Sequence, residues 1–196
     1  VVDGGSTDGS LEIIQKYSNQ IQWWVSEKDS GQAEAINKGF SHASGEIIAW
    51  LNSDDFYLPG AISQAVKALG ENPSSAFVFG EVQVLNENGE TINILKYGDW
   101  GLKKLMSFHI IGQPAVFMRR EALLRAGMLD TQYHFLLDHQ LWLRLASAAE
   151  IRYVPQLWAG AHYHAGSKNA ARGVEFGREA HRILAWMETD PALAPL

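Results

Sequence analysis

The fold class that the sequence predicts is α/β, with a mixed, mostly parallel sheet flanked by helices in a single domain. Two observations predict it. Within the first 70 residues, an apolar segment of strand length, a turn with an acidic residue and a helical segment follow one another three times. Parallel strands joined by helices bring such turns to one edge of a single sheet. The length of 196 residues also suits one domain with a sizeable core.

The composition narrows the classes of function. With 46% hydrophobic and 19% charged residues, the chain reads as an ordinary globular protein. The absence of cysteine excludes disulfides and thiolate metal sites and suits the cytosol. A formal charge of −6 argues against nucleic acid as a partner, because binding to a phosphate backbone needs a basic surface. An anionic substrate would therefore be held by a metal, by backbone amides or by a few placed cations.

The first unit runs from the end of a strand at Val1-Val2-Asp3, through the turn 4–9, into a helix over 10–17. A glycine-rich turn between a strand and a helix leaves backbone N–H groups available for an anion or a ribose. Asp3, at the carboxyl end of its strand, would face the same crevice. The alternative is a plain tight turn in which Asp8 caps the helix.

The second and third units lead to an acidic pair. A strand over 21–26 ends at a turn containing Asp29, a helix follows over 32–43, and a buried strand over 46–51 stops at Asp54 and Asp55. Two neighbouring carboxylates in a partly dry crevice need a proton, a cation or strong donors to coexist. Mg²⁺ or Mn²⁺ is the natural partner, because hard cations take oxygen ligands and share them with substrate phosphates. The alternative is that the two acids begin a helix before Pro59.

The second half of the chain changes its pattern from strand–helix repeats to mixed or antiparallel pairing. Such a half usually carries the specificity for a second substrate. The predicted elements are a helix over 60–69, a hairpin of strands 76–85 and 91–95, a short helix over 99–106, a strand over 115–119, a helix that opens at 119–121 and ends at Gly127, and an apolar helical segment over 135–145.

The last third contains one acid and two histidines of interest. Asp138 is either a helix-start acid stabilised by the helix dipole or a carboxylate directed into the crevice. After a short strand over 151–155, alternation places His162 and His164 on one face, where they could ligate a metal or simply lie at the surface. A helix over 170–189 follows, which could pack on the domain, on a partner or on a membrane surface.

Several motifs in a fixed order closely resemble those of the family 2 glycosyltransferases of the GT-A fold, which is Rossmann-like. Order, spacing and residue types agree over residues 1–60, and a weaker match continues through Gln113, Asp138, Trp142 and His164. The motifs are Val2-Asp3-Gly4-Gly5-Ser6-Thr7-Asp8-Gly9-Ser10, Asp29-x-Gly31, Ala35-Ile36-Asn37-Lys38-Gly39, Gly45-Glu46 and Asn52-Ser53-Asp54-Asp55.

The resemblance implies an inverting, metal-dependent transfer of a sugar from a nucleotide-diphosphate sugar to an acceptor hydroxyl. It implies Mn²⁺ or Mg²⁺ as cofactor, a glycan or glycolipid acceptor, and a place in polysaccharide or glycolipid assembly. A cytoplasmic site at the inner face of the membrane, with peripheral membrane association, follows from the same family. The expected division is a nucleotide-sugar-binding part over 1–60, an acceptor-binding and catalytic part over 61–169, and a C-terminal helix over 170–196.

The resemblance also implies roles for individual residues. Asp138 matches the catalytic base, which takes the proton of the attacking hydroxyl. Asp54, Asp55 and His164 match metal ligands. Asn52 stands where the family has an acid, and it can hydrogen-bond a ribose hydroxyl but brings no charge. The remaining donor-binding positions are Asp3, Gly4, Ser6, Asp8, Asp29, Asn37, Lys38 and Lys168.

One departure from the family concerns the start of the chain. The family begins with an additional strand and a loop that contacts the nucleotide, and this sequence begins after them. We therefore expect an N-terminally truncated piece of such an enzyme. The alternative readings are a non-catalytic nucleotide-sugar-binding domain of the same fold or a truncated, inactive fragment. A nucleotidyltransferase is disfavoured, because the sequence shows no early glycine-rich phosphate loop with Arg or Lys.

Overall fold

The computed structural model describes residues 1–163 and 173–196. The helices are α1 (Ser10–Lys16), α2 (Gln32–His42), α3 (Ala61–Glu71), α4 (Leu102–Met106), α5 (Arg120–Ala126), α6 (Leu137–Ala148) and α7 (Gly173–Thr189). The strands are β1 (Val2–Asp3), β2 (Val25–Ser26), β3 (Ile47–Ile48), β4 (Asp55–Tyr57), β5 (Ser75–Leu85), β6 (Thr91–Leu95), β7 (Val116–Arg119) and β8 (Glu150–His162).

The strands form two sheets. β1 and β2 pair in parallel as a small sheet of their own. The larger sheet has the order β3-β7-β5-β8-β4. β7 and β6 follow one another along one edge of β5, while β8 runs along the other edge.

The mixed α/β class is confirmed, but parallel pairing is not dominant among the described strands. Only β1 with β2 and β5 with β8 are parallel, and the other four pairs are antiparallel. The prediction that three acidic turns share one edge of a single sheet is wrong, because β3 pairs with β7 of the larger sheet. The early strands form ladders of two or three residues, so the long strands of the second half decide the topology.

The core lies on both faces of β5. Phe77 and Phe79 pack on one face in a cluster with Trp142 of α6. Val78 packs on the opposite face in a second cluster with Ala65 of α3. Because both faces are covered, the first half of β5, residues 76–80, is a continuous apolar run rather than an alternating one. The first cluster fixes α6, and therefore Asp138, against the sheet.

Some predicted boundaries are corrected. Asp55 opens β4, and α3 begins only at Ala61, so the reading of the acid pair as a helix start is wrong. The strands predicted over 151–155 and from 158 onward are one strand, β8. The C-terminal helix spans 173–189 in the described chain, and a turn follows it. Among the described helices, none is long and apolar enough to cross a membrane.

Candidate active site

Asp3 organises the turn that follows β1. Its carboxylate accepts hydrogen bonds from the backbone N–H groups of Gly5 and Ser6, at 3.2 and 3.0 Å, and from the hydroxyls of Ser6 and Ser26. These donors, with Ser26 the strongest, lower the pKa of Asp3 to about 2. Asp3 is therefore a buried, charged group whose orientation is set by its own turn.

Asp8 has a comparable local role at the start of α1. Its carboxylate accepts from the backbone N–H and the hydroxyl of Ser10, at 3.1 and 2.7 Å. These bonds lower the pKa of Asp8. The carboxylate thus satisfies the amide of the first residue of α1, but the residue at the N-cap is Gly9 rather than the expected Asp8. A part for Asp8 in donor binding stays a prediction.

The turns after β1 and β2 meet, as the parallel pairing of these strands requires. A Cβ placed on Gly4 would lie 2.7 Å from Oδ2 of Asp29, so a larger residue at position 4 would displace the Asp29 carboxylate. The other carboxylate oxygen of Asp29 accepts from the backbone N–H of Gly31 at 2.9 Å. Asp29 is thereby held between the first turn and the start of α2.

Asn37 and Lys38 make contacts within the protein. The Asn37 amide donates to the carbonyl of Leu129 at 2.8 Å and accepts from the Leu129 N–H at 3.0 Å. The Lys38 ammonium pairs with Glu27 at 2.9 Å and with Glu34 at 3.2 Å. These contacts tie α2 to neighbouring segments, and nucleotide binding by either residue stays a prediction.

Asn52 is the centre of a polar network beside the acid pair. Its carbonyl oxygen accepts from Gln32 at 2.8 Å, and its amide donates to Asp55 at 2.9 Å and to Gln113 at 3.2 Å. The amide of the buried Gln113 in turn donates to the carbonyl of Trp50 at 2.8 Å. The network joins the start of α2, the acidic loop and the segment before β7.

Asp55 has an unusual affinity for protons. Burial raises the pKa of this carboxyl to about 6, the hydrogen bond from Asn52 opposes the rise, and the charge of Asp54 adds to it. A carboxylate that is partly buried beside a second carboxylate gains strongly from a cation. Metal binding by the pair stays a prediction.

His162 lies against the acid pair. The register of β4 on β8 pairs Asp55 with Ala161, and the His162 ring nitrogen Nδ1 lies 2.6 Å from the Asp54 carbonyl oxygen. The charge of His162 lowers the pKa of Asp55. The alternation around residues 158–164 was the signal that could have placed this histidine in the site. His164 and Lys168 lie outside the described residues.

The donor set suits a hard divalent cation that shares its ligands with a substrate. Over residues 1–163 and 173–196, no group of three His, Asp or Glu side chains could hold a metal ion. Mg²⁺ typically uses one or two protein carboxylates and completes its coordination with phosphate oxygens and water. Asp54 and Asp55 fit that pattern, with Asp55 carrying the raised pKa that a cation would reverse.

Asp138 lies on α6, which contacts the residue that precedes the acidic loop. It is the second residue of the helix, and Trp142, one turn further on the same face, stacks on Trp50 with ring centroids 5.5 Å apart. Trp50 leads directly into the acidic loop. The hydroxyl of Tyr97 accepts a hydrogen bond from the Gly112 N–H at 2.8 Å. Burial raises the pKa of Tyr97 to about 12, and the charge of Asp138 contributes.

The neighbour of Asp138 carries no charge at neutral pH. His139 is fully buried and stacks on Phe108 with ring centroids 5.3 Å apart. Burial lowers the pKa of His139 to about 4. A role for Asp138 as the catalytic base stays a prediction.

Sequence reasoning missed three residues that shape the site: Gln32, Tyr97 and Glu179. Gln32 donates to Asn52 beside the acidic loop, Tyr97 accepts from the Gly112 N–H, and Glu179 contacts the segment before α6. No local pattern marks any of them, because each acts through a partner distant in sequence.

Curated relatives are glycosyltransferases. The chain is 29% identical over 154 residues to an uncharacterized glycosyltransferase of Mycobacterium tuberculosis, a match that covers 76% of this chain and 57% of the relative. It is 27% identical over 182 residues to a PGL/p-HBAD biosynthesis glycosyltransferase of Mycobacterium bovis, covering 90% and 69% of the two chains. The match thus spans little more than half the length of the first relative.

Solved structures share the fold. Staphylococcus aureus TarS residues 1–349, in complex with UDP-GlcNAc, superposes with a TM-score of 0.73 at 17% identity, over 97% of this chain and 57% of that one. The mannosyltransferase PcManGT of Pyrobaculum calidifontis, in complex with GDP-Man and Mn²⁺, superposes with a TM-score of 0.69 at 21% identity, over 100% and 57%. The predicted GT-A fold is confirmed.

The family itself follows from a match that covers most of the chain. Residues 1–133 match the family model described as Glycosyl transferase family 2, and they include Asp3, Asp29, the Asn52 network and the acid pair. Asp138 lies just beyond the matched segment. The chain therefore belongs to glycosyl transferase family 2.

Proposed function

We propose that this chain is the donor-binding and catalytic unit of an inverting, metal-dependent glycosyltransferase that acts in polysaccharide or glycolipid assembly. The observation that carries the proposal is the Trp50–Trp142 stack, which joins the acidic loop to the helix that bears Asp138. This contact supports the proposal that a carboxylate suited to a cation and a carboxylate suited to proton transfer act at one site.

The donor side consists of the turns after β1 and β2. Asp3 and Asp29 each accept backbone hydrogen bonds where these turns meet. Gly4 and Ser6 belong to the turn after β1. The base and ribose of a nucleotide-diphosphate sugar would bind here. TarS and PcManGT are seen with UDP-GlcNAc and GDP-Man, which supports a sugar nucleotide as the donor class.

Asp54 and Asp55 would hold Mn²⁺ or Mg²⁺. The cation would neutralise the charge that builds on the departing diphosphate. Asn52 would orient Asp55 by donating an amide hydrogen bond to its carboxylate. Because Asn52 is neutral, the site would carry one negative charge fewer than a site with three acids. His164 and Lys168, which lie outside the described residues, are proposed beside the metal and the diphosphate.

Asp138 would act as the general base. As the acceptor oxygen attacks the anomeric carbon, its proton passes to the Asp138 carboxylate. The bond from that carbon to the diphosphate oxygen breaks, and the diphosphate leaves with the bonding electrons. A single displacement of this kind inverts the configuration and needs no covalent intermediate.

The acceptor is proposed to be a glycan or glycolipid hydroxyl, handled on the cytoplasmic side at the membrane surface. The relative named for PGL/p-HBAD biosynthesis supports this class of acceptor. The competing reading, a nucleotide-sugar-binding domain without turnover, has Asn52 in its favour, because that position carries no charge. Asp138 separates the two readings, since a binding domain needs no base there.

The experiment that tests the proposal is calorimetric titration with UDP, GDP and dTDP, each with Mn²⁺ and with EDTA. Binding of one nucleotide that disappears in EDTA, and that is lost in the double variant Asp54→Ala/Asp55→Ala, is expected. Glu121→Gln, at an exposed acid on α5, is the matched control and should bind as the parent chain does. Metal-independent binding, or binding retained in the double variant, would contradict the assigned metal site.

A further inference from the structure

Glu179 of α7 is a buried carboxylate that holds the segment leading into α6. It accepts hydrogen bonds from three consecutive backbone N–H groups, those of His134, Phe135 and Leu136, at 2.8, 2.8 and 2.9 Å. A carboxylate bound by several amides makes charge-assisted bonds, which are stronger and more directional than neutral ones. The helix therefore fixes the backbone just before α6.

Arg182, three residues further along α7, contacts the same segment. Its guanidinium donates to the carbonyl of Gln132 at 2.9 Å and lies over the Tyr133 ring, 5.6 Å from its centroid. Residues 132–136 are thus held through both backbone and side-chain groups. Ile183 and Met187 anchor α7 itself in the core cluster that contains α6.

This segment borders both halves of the site. Leu136 is the residue before α6, so Asp138 follows two positions later, within the first turn. At the other end, the His134 ring lies 3.4 Å from where a Cβ on Gly31 would be, beside the turn that carries Asp29. A shift of residues 134–136 would move Asp138 relative to the donor.

We propose that Glu179 is a positioning residue that sets the place of the Asp138 carboxylate by anchoring residues 134–136. The predicted effect on catalysis rests on the proposed function. The predicted effect on the backbone of residues 134–136 rests on the hydrogen bonds of Glu179. Glu179→Gln keeps the size of the side chain but removes the charge. It also turns an NH₂ group toward amide donors, so at least one of the three bonds is lost.

The test compares Glu179→Gln with Glu188→Gln, an exposed acid on the same helix. Nucleotide release from UDP-GlcNAc and from GDP-mannose gives kcat and the donor KM, and hydrogen exchange reports the amides of residues 134–136. We expect faster exchange and a fall in kcat of about 10- to 100-fold with the donor KM within about twofold, because a misplacement near 1 Å can cost that much rate. Glu188→Gln should match the parent chain in every readout.

An unchanged kcat per folded molecule in Glu179→Gln would overturn the proposal, even if the melting temperature fell, because the role would then be structural only. If Glu179→Gln does not fold, Arg182→Met replaces it and should show the same split between kcat and KM in milder form. If the parent chain releases no nucleotide, the proposed function fails separately. An NMR titration of the Asp138 carboxyl then decides: a curve altered by Glu179→Gln supports the positioning role, and an identical curve overturns it.

Discussion

The indole of Trp142 stacks on the indole of Trp50 at a centroid separation of 5.5 Å and an interplanar angle of 27°. Trp142 is fully buried, so its removal would leave a large cavity between α6 and the acidic loop. We expect Trp142→Leu to lower the free energy of unfolding by about 3 kcal/mol, near the range for large-to-small core changes. Trp142→Phe, which keeps an aromatic partner, should cost less. Urea denaturation of both variants measures the difference, and equal losses would contradict a specific contribution from stacking.

Asp138→Asn should remove transfer and spare donor binding. The amide cannot accept the hydroxyl proton, and a general base typically contributes about 10²- to 10⁴-fold to the rate. The donor Kd from calorimetry should stay within about twofold, because the nucleotide turns lie elsewhere on the chain. Asp99→Asn, at an exposed loop position, is the control. Transfer at the parent rate would remove Asp138 from the mechanism.

The raised pKa of Asp55 makes the free energy of unfolding depend on pH. The folded-state pKa of Asp55 is about 6, above its ordinary value of 3.8, so the folded chain binds more protons between these values. The contribution of Asp55 to stability is therefore present below about pH 4 and is lost as the pH rises through about 6. Asp55→Asn should flatten the dependence over this range in urea denaturation with EDTA. Mn²⁺ should bind more tightly as the pH rises through 6, because it displaces the proton. A parent-like pH profile in the variant would show that Asp55 does not titrate there.

The lowered pKa of Asp3 makes the free energy of unfolding depend on pH in the opposite direction. Its folded-state pKa is about 2, below the ordinary value of 3.8, so its contribution to stability is present above about pH 4 and is lost as the pH falls toward 2. Asp3→Asn should lower the free energy of unfolding at pH 7 by about 1–3 kcal/mol, because charged hydrogen bonds become neutral ones and one donor faces an NH₂ group. The deficit should shrink near pH 2. A constant deficit across this range would argue for packing rather than charge.

A larger residue at position 160 should affect the acidic loop through its contact with Phe56. The two residues pair across β4 and β8, and a Cβ on Gly160 would overlap the Phe56 ring. Gly160→Ala should therefore displace the residue next to Asp55, cost about 1–3 kcal/mol as an overpacked position, and weaken Mn²⁺ binding. Gly70→Ala is the control, because a Cβ there meets no atom within 4 Å and the helical position should favour alanine. Parent-like Mn²⁺ affinity in Gly160→Ala would separate Phe56 from the metal site.

Some elements could be predicted because local patterns decide them. The alternation over 91–95 and the turn before it specify β6, which forms over Thr91–Leu95. The apolar spacing after Gly31 specifies α2, which ends within one residue of the predicted position. The neighbouring turns of Asp3 and Asp29 also follow from sequence, because parallel pairing of adjacent strands places them together.

Other features depend on partners that the sequence does not specify. Within the apolar run over 46–51, only Ile47–Ile48 form a strand, because only these two residues pair with β7. The predicted strand over 151–155 ends at Pro155, yet β8 continues past this residue with a register shift opposite residues 79–81. A proline lacks the N–H that a ladder needs, and a bulge accommodates it without ending the strand. The contacts of Asn52 and Glu179 were unpredictable for the same reason, since their partners lie up to 61 and 45 residues away.

The small sheet of β1 and β2 has a consequence for how a donor would bind. Its two strands pair over two residues each, and α1, within the described chain, contributes no buried side chain. We expect such a unit to open at a lower free energy than the strands around β5. Association of a nucleotide would then order it, with a favourable enthalpy opposed by a loss of conformational entropy. Affinity for the donor would accordingly respond to substitutions that stiffen residues 4–9 without touching the ligand at all.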